Sequence, residues 1–175
     1  MNKIIISGLV LLFLVASCAI FESAEVREQK YGKASPVIDQ YFASPTMRQG
    51  DTWKVYVRAS DSDGDMKRIL TYLGPGSWGA DSSAAFTRLR EEDRREFSGY
   101  LYWFPGSDGG YSGQYIMIIQ VEDQAGHYSD PISLTLNFKP SGRQEPPPSG
   151  VFQEKEIGPI MISIRRGANG GDGGM

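Results

Sequence analysis

Tyr115-Ile116-Met117-Ile118-Ile119-Gln120-Val121 and Ile132-Ser133-Leu134-Thr135-Leu136-Asn137-Phe138 decide the fold. The first is the strongest strand signal in the chain, built from β-branched and aromatic residues. The second alternates without a break, which sets Ile132, Leu134, Leu136 and Phe138 on an inner face and Ser133, Thr135 and Asn137 on an outer one. Asp123-Gln124-Ala125-Gly126-His127 supplies turn chemistry between them. Upstream, Trp53-Lys54-Val55-Tyr56-Val57-Arg58-Ala59 alternates in the same way, with Trp53, Val55, Val57 and Ala59 on one face. Residues 37–42, 66–72 and 97–104 read as further strands, punctuated by Ser44-Pro45, Gly74-Pro75-Gly76 and Pro105-Gly106. Residues 82–96 stand apart. Ser82-Ser83 would cap a short helix carrying Phe86 and Leu89, and a long irregular crossover fits the same letters. About six strands with turn signals between them predict an all-β domain over residues 36–139, a single antiparallel sandwich.

Residues 53–65 and 115–138 resemble the bacterial Ig-like and fibronectin type III-like sandwiches. In those domains a strand ending in Ala-x-Asp, here Ala59-Ser60-Asp61, runs into a Gly-containing loop. A late Tyr-x-x-x-x-x-Val-x-Asp-x-x-Gly, here Tyr115 to Gly126, then turns into the last strand. The resemblance spans about residues 36–139 and is one of pattern. It implies that the loop after the second strand and the loop before the last lie at the same end of the domain. The Ig disulfide is absent, because Cys18 is the only cysteine. Beyond Phe138, the prolines at 140, 146, 147 and 148 mark residues 140–175 as an extended, Gly-ended tail, with an edge strand over 157–164 as an option.

The N-terminus gives the address. Lys3 precedes an apolar run from Ile4 to Val15, too short for the roughly 20 residues that span a bilayer. Val15-Ala16-Ser17-Cys18 resembles the lipobox of bacterial lipoproteins, an aliphatic residue and two small ones before Cys. The resemblance implies cleavage of residues 1–17, lipidation of Cys18 and a membrane-anchored mature chain. Ala19, in place of Asp, resembles the sorting pattern of the outer membrane. With no second cysteine for a disulfide, a lone exported thiol is accounted for if lipid consumes it. Residues 18–35 are polar and without a sustained period, and read as a flexible tether. A short helix over 22–30 would have little to pack on.

Composition narrows the function. Loss of Lys3 leaves 17 of the 18 basic residues against 21 acidic ones, with no basic cluster, which argues against nucleic acid as a partner. One His and one Cys cannot assemble a zinc site of the usual kind. Gly110-Tyr111-Ser112-Gly113-Gln114 misses the nucleophile-elbow pattern at its last position, and His127 sits in a hairpin turn. Glu91, Glu92 and Asp93 read as a solvated face.

Two constellations remain. Asp61, Asp63, Asp65 and Asp123, with Glu122 beside them, would converge in the Ig-like order and supply the oxygen ligands Ca²⁺ prefers. They do not form an EF-hand, because Met66 and Tyr72 stand at its sixth and twelfth positions. The plainer reading, and the preferred one, is that the Asp side chains bond local backbone N–H groups in tight turns. Trp78, Tyr102 and Tyr111, with Tyr100 and Trp103 nearby, sit in or beside Gly-rich loops and would make a platform for sugar or protein if exposed. The reading that follows is a non-enzymatic envelope lipoprotein that binds another envelope protein. A carbohydrate-binding or carbohydrate-processing accessory is the alternative.

Overall fold

The computed structural model describes residues 22–76, 83–106 and 113–163. Helix α1 spans Ala24–Tyr31. It is followed by β1 (Val37–Ala43), β2 (Thr46–Met47), β3 (Trp53–Ser60), β4 (Met66–Pro75), β5 (Ser83–Arg88), β6 (Glu96–Trp103), β7 (Gly113–Asp123), β8 (Ile132–Phe138) and β9 (Glu156–Pro159). The strands form two sheets, in the orders β1-β3-β6-β9 and β2-β8-β7-β4-β5. The second strand of the sandwich, β3, pairs with β6, while β4, β7 and β8 are neighbours in the other sheet. This is the strand distribution of an Ig-like sandwich.

The first strand changes sheet at Ser44-Pro45. Proline cannot continue a ladder as a donor, and the Pro45 carbonyl instead accepts from Asn137 N at 2.9 Å. That contact leads β2 into a parallel pairing with β8. A second parallel pairing joins β9 to β6, so the sheets are mixed and not wholly antiparallel.

The alternating faces fall where the sequence puts them. Trp53, Val55, Val57 and Ala59 of β3, and Met117, Ile119, Val121, Leu134 and Leu136 of the β7–β8 hairpin, are all buried. Trp53 and Trp103 stand opposite each other in register and lie in the core. Each indole N–H is satisfied there, by the carbonyls of Ser44 (2.8 Å) and Ile162 (2.9 Å), as a buried Trp requires.

Residues 82–96 are a correction to the helix expected there. The Phe86/Leu89 spacing suits a helix, but β4 offers an open ladder, and Ser83–Arg88 pairs along it. Thr87 turns inward while Phe86 is left 56% exposed, a period of two. A single 3-10 turn at Glu91–Asp93 is the only helical piece among the described residues there.

Residues 156–162 are integral to the domain. The edge strand is present as Glu156–Pro159, and Ile160 and Ile162 beyond it are buried in the core. Gly99 makes this approach possible, since a Cβ at that position would lie 2.3 Å from the Lys155 carbonyl.

Candidate acidic site

The β3–β4 and β7–β8 loops meet at one end of the sandwich. Asp61 Oδ1 accepts from Asp63 N (2.8 Å) and Gly64 N (3.3 Å), closing an Asx turn. Asp123 Oδ1 accepts from Gly126 N and His127 N, and its Oδ2 faces His127 Nδ1 at 2.8 Å. Asp65 Oδ2 accepts from Gln124 N at 3.1 Å and ties the two loops together. The turn-capping roles expected of these carboxylates are therefore real.

Capping does not use every oxygen. Asp61, Asp65 and Asp123 are all buried, and each places a carboxylate oxygen within 4.8 Å of the other two. Asp61 Oδ2 is buried without a hydrogen-bond partner. A buried carboxylate oxygen left unpaired costs about 1–3 kcal/mol or more. Burial, and then the nearby charges of Asp123 and Asp61, push the Asp65 carboxyl above its ordinary value. A positive charge placed among the three would relieve this repulsion. Three buried carboxylates are hard oxygen ligands of the type that suits Ca²⁺.

Asp63 does not join them. Its side chain turns outward and its Oδ2 accepts from Ala34 N at 2.8 Å. Glu122 is also outside the cluster, buried beneath Lys67 and Arg68 with which it pairs.

Helix α1 closes this end. Ser23 caps it, and its mean hydropathy is low with no residue buried, which is why its docking is polar. Arg27 Nε donates to the Ala125 carbonyl at 2.8 Å, and Glu28 Oε1 lies 3.5 Å from His127 Nε2. Gly32 ends the helix at φ +114°, and the Asp63 carboxylate fills the space where a Cβ would stand. His127 is held in a raised protonation range, first by its bond to Asp123 and then by Glu28. Within the segment expected as a tether, residues 24–31 are thus helical, in the place where a short helix over 22–30 was the option, and they are pinned to the domain. Arg27 and Glu28 carry no sequence signal for this, since each contact spans roughly a hundred residues of chain.

The aromatic platform is not assembled as expected. Trp78 and Tyr111 lie outside the described residues, as does Cys18. Trp103 belongs to the core, and Tyr102 is half-buried on the outer face of its sheet, opposite Lys54 and Pro159. The aromatic cluster on that face is another one. Tyr56 packs against Tyr100 (5.6 Å) and Phe152 (5.5 Å), Lys54 sits 4.0 Å over the Tyr100 ring, and Glu154 bonds both Lys54 and Tyr56. The Pro-rich stretch runs across this face and leaves a groove of about 660 Å³ lined by Phe42, Lys54, Tyr56, Arg143 and Pro146. Glu91 and Glu92 are exposed, whereas Asp93 is buried and paired with Lys155.

No family model and no curated protein matches the chain. Solved structures do. A cycloisomaltooligosaccharide glucanotransferase from Paenibacillus, complexed with cycloisomaltoheptaose, aligns over 61% of this chain and 14% of its own, at 7% identity and a TM-score of 0.41. A PKD domain of an M14-like peptidase from a Thermoplasmatales archaeon aligns over 61% of this chain and 96% of its own, at 18% identity and a TM-score of 0.35. A CARDB domain from Pyrococcus furiosus, in complex with di-metal ions, aligns over 61% and 89%, at 7% identity and a TM-score of 0.33. The fold class rests on the strand order. The chain is an Ig-like β-sandwich.

Proposed function

We propose that this chain is a lipid-anchored, non-catalytic binding module of the bacterial envelope, attached to the outer membrane through Cys18 and docking another protein there. The observation that carries this reading is the position of α1. The lipobox ends at Cys18, and α1 begins at Ala24 already fastened to the acidic end by Arg27 and Glu28. Residues 18–23, fully extended at ~3.4 Å each, reach only about 20 Å. A short lead into a pinned helix holds the domain upright, with its acidic end toward the membrane and the opposite end outward. That is the geometry of a module that presents fixed faces to partners.

Absence of catalysis is part of the proposal. His127, the one histidine, has Nδ1 committed to Asp123, and its Nε2 faces Glu28 where a nucleophile would have to stand. The sugar-binding alternative draws no support from Tyr102, and the chain's own Phe152 packs on the nearby aromatic cluster.

A cation is part of the proposal on a separate observation, the unpartnered Asp61 Oδ2 beside Asp65 and Asp123. Ca²⁺ bound there would join the two loops on which α1 rests. The anchor is tested by metabolic labelling of the full chain with a palmitate analogue. The label should appear on the wild type and vanish in Cys18→Ala. Equal labelling of both would remove Cys18 as the attachment point.

A further inference from the structure

Helix α1 is too short and too polar to hold itself. It has eight residues, none of them buried, and an isolated helix shorter than ~12–15 residues is marginal in water. Its order therefore comes from where it docks. Arg27 Nε donates to the Ala125 carbonyl at 2.8 Å, and Glu28 Oε1 lies 3.5 Å from His127 Nε2. Both partners belong to the β7–β8 loop. Just past the helix, Ala34 N donates to Asp63 Oδ2 at 2.8 Å, and Asp63 belongs to the β3–β4 loop. The docking surface is thus built from two loops, and the same two loops carry the acidic cluster. Asp63 stands between Asp61 and Asp65, while Ala125 and His127 follow closely on Asp123. How the loops stand relative to each other decides whether one short segment can bond both.

Three like charges act on that spacing. Asp61, Asp65 and Asp123 are buried, and each brings a carboxylate oxygen within 4.8 Å of the other two. Their repulsion is poorly screened there and pushes the loops apart. Against it stand the β4–β7 ladder, which reaches Met66 and Asp123, and the bond from Gln124 N to Asp65 Oδ2. Among the described residues no Lys or Arg pairs with any of the three, and His127 alone faces one of them, Asp123. Asp61 carries the pointer to a ligand. Its Oδ1 closes the turn, and its Oδ2 is buried with no hydrogen-bond partner, a condition that native proteins relieve with a partner or an ion.

We propose that Ca²⁺ bound by Asp61, Asp65 and Asp123 is the switch that docks α1. Bound, the ion draws the two loops together and fixes residues 24–34 across them. Removed, it lets that segment come away while the sandwich stays folded, since no residue of α1 belongs to the core. The proposal rests on the cation reading above and needs nothing from the lipid anchor. Ca²⁺ suits the role better than Mg²⁺, because it accepts irregular oxygen geometry at ~2.3–2.6 Å whereas Mg²⁺ demands a near-ideal octahedron. Ion and docked helix favour the same arrangement of the loops, so each strengthens the other by the same factor.

The test is hydrogen exchange on the full chain in detergent, read by mass spectrometry over residues 24–34, with millimolar Ca²⁺ or with chelator. Amides of a docked segment exchange when it opens locally, so Ca²⁺ should slow them about tenfold, within the usual range of coupling between sites. Asp61→Asn keeps the turn-closing acceptor and loses a ligand charge, and the response should vanish. Arg27→Ala keeps every ligand and supplies the reciprocal readout: its exchange over 24–34 should quicken and its Ca²⁺ affinity, by titration calorimetry, should fall by up to about tenfold. Ca²⁺ binding with unchanged exchange over 24–34 would overturn the switch and leave the cation site standing. Faster exchange in Arg27→Ala with unchanged affinity would overturn it equally. A response that survives Asp61→Asn would overturn the assigned ligands. Neither binding heat nor a rise in Tm would remove the cation reading and the switch with it.

Discussion

Ile160 and Ile162 offer a direct measure of whether residues 156–163 are part of the fold. Both are buried, and the Met161 between them is 76% exposed. Each Ile→Ala change removes three carbons from a close-packed site and costs ~2–5 kcal/mol, with the spread set by how far the site can collapse. The two sites share neighbours in one core, so their effects need not add. A combined loss of ~4–8 kcal/mol is expected, a large share of the ~5–15 kcal/mol that stabilises a domain. The backbone bond from Trp103 Nε1 to the Ile162 carbonyl survives alanine substitution, so the measured loss reports packing alone. The assay is urea unfolding followed by tryptophan fluorescence and far-ultraviolet circular dichroism, on the wild type, Ile160→Ala, Ile162→Ala, the double variant and Met161→Ala. Met161→Ala should lie within ~0.5 kcal/mol of the wild type. Losses below ~1 kcal/mol at both isoleucines would show that residues 156–163 are a detachable tail.

Three further outcomes are expected. Millimolar Ca²⁺ should stabilise the protein by ~2.7 kcal/mol at a hundredfold excess over Kd, a rise of about ten degrees in Tm, and Asp61→Asn should abolish the response. A flat calcium titration would leave the cluster as turn caps; in chelator, Asp65→Asn should then hold or raise Tm, because it removes a charge that burial already disfavours. His127 should make stability fall with rising pH. Its raised value means that its contribution is full below the ordinary ~6.5 and is lost as pH climbs through the folded-state value. Tm measured from pH 6 to pH 9 should decline in the wild type and not in His127→Gln, and a parallel decline in both would exclude His127 as the cause. In the centre of the sandwich, Ile119→Ala and Leu136→Ala should each cost ~2–5 kcal/mol by urea unfolding; losses under ~1 kcal/mol would contradict the register of β7 and β8.

Strand identity was legible because it depends on a local period. Burial on every second residue is visible in Trp53 to Ala59 and in Ile132 to Phe138, and the inward set observed is the one their alternation specifies. The Asp-x-Asp-Gly-Asp loop was legible as a turn for the same reason, since Asp61 bonds the backbone two and three residues on. Local letters failed at Phe86 and Leu89, where their spacing suits a helix. An edge strand forms instead because β4, remote in sequence from nothing but exposed along one side, supplied ladder bonds that no isolated helix turn could match.

By itself, then, the sequence determined the all-β class, the inward faces of the strands and the acidic loops. Each is a pattern written within about ten consecutive residues or a fixed short spacing. Only the tertiary structure decided which carboxylates converge, selecting Asp61, Asp65 and Asp123 and sending Asp63 to Ala34. It also decided that α1 docks on His127 and Ala125 and that Ile160 and Ile162 complete the core. These depend on contacts between residues up to a hundred positions apart. Their partners are fixed by strand order and register, which no local period encodes.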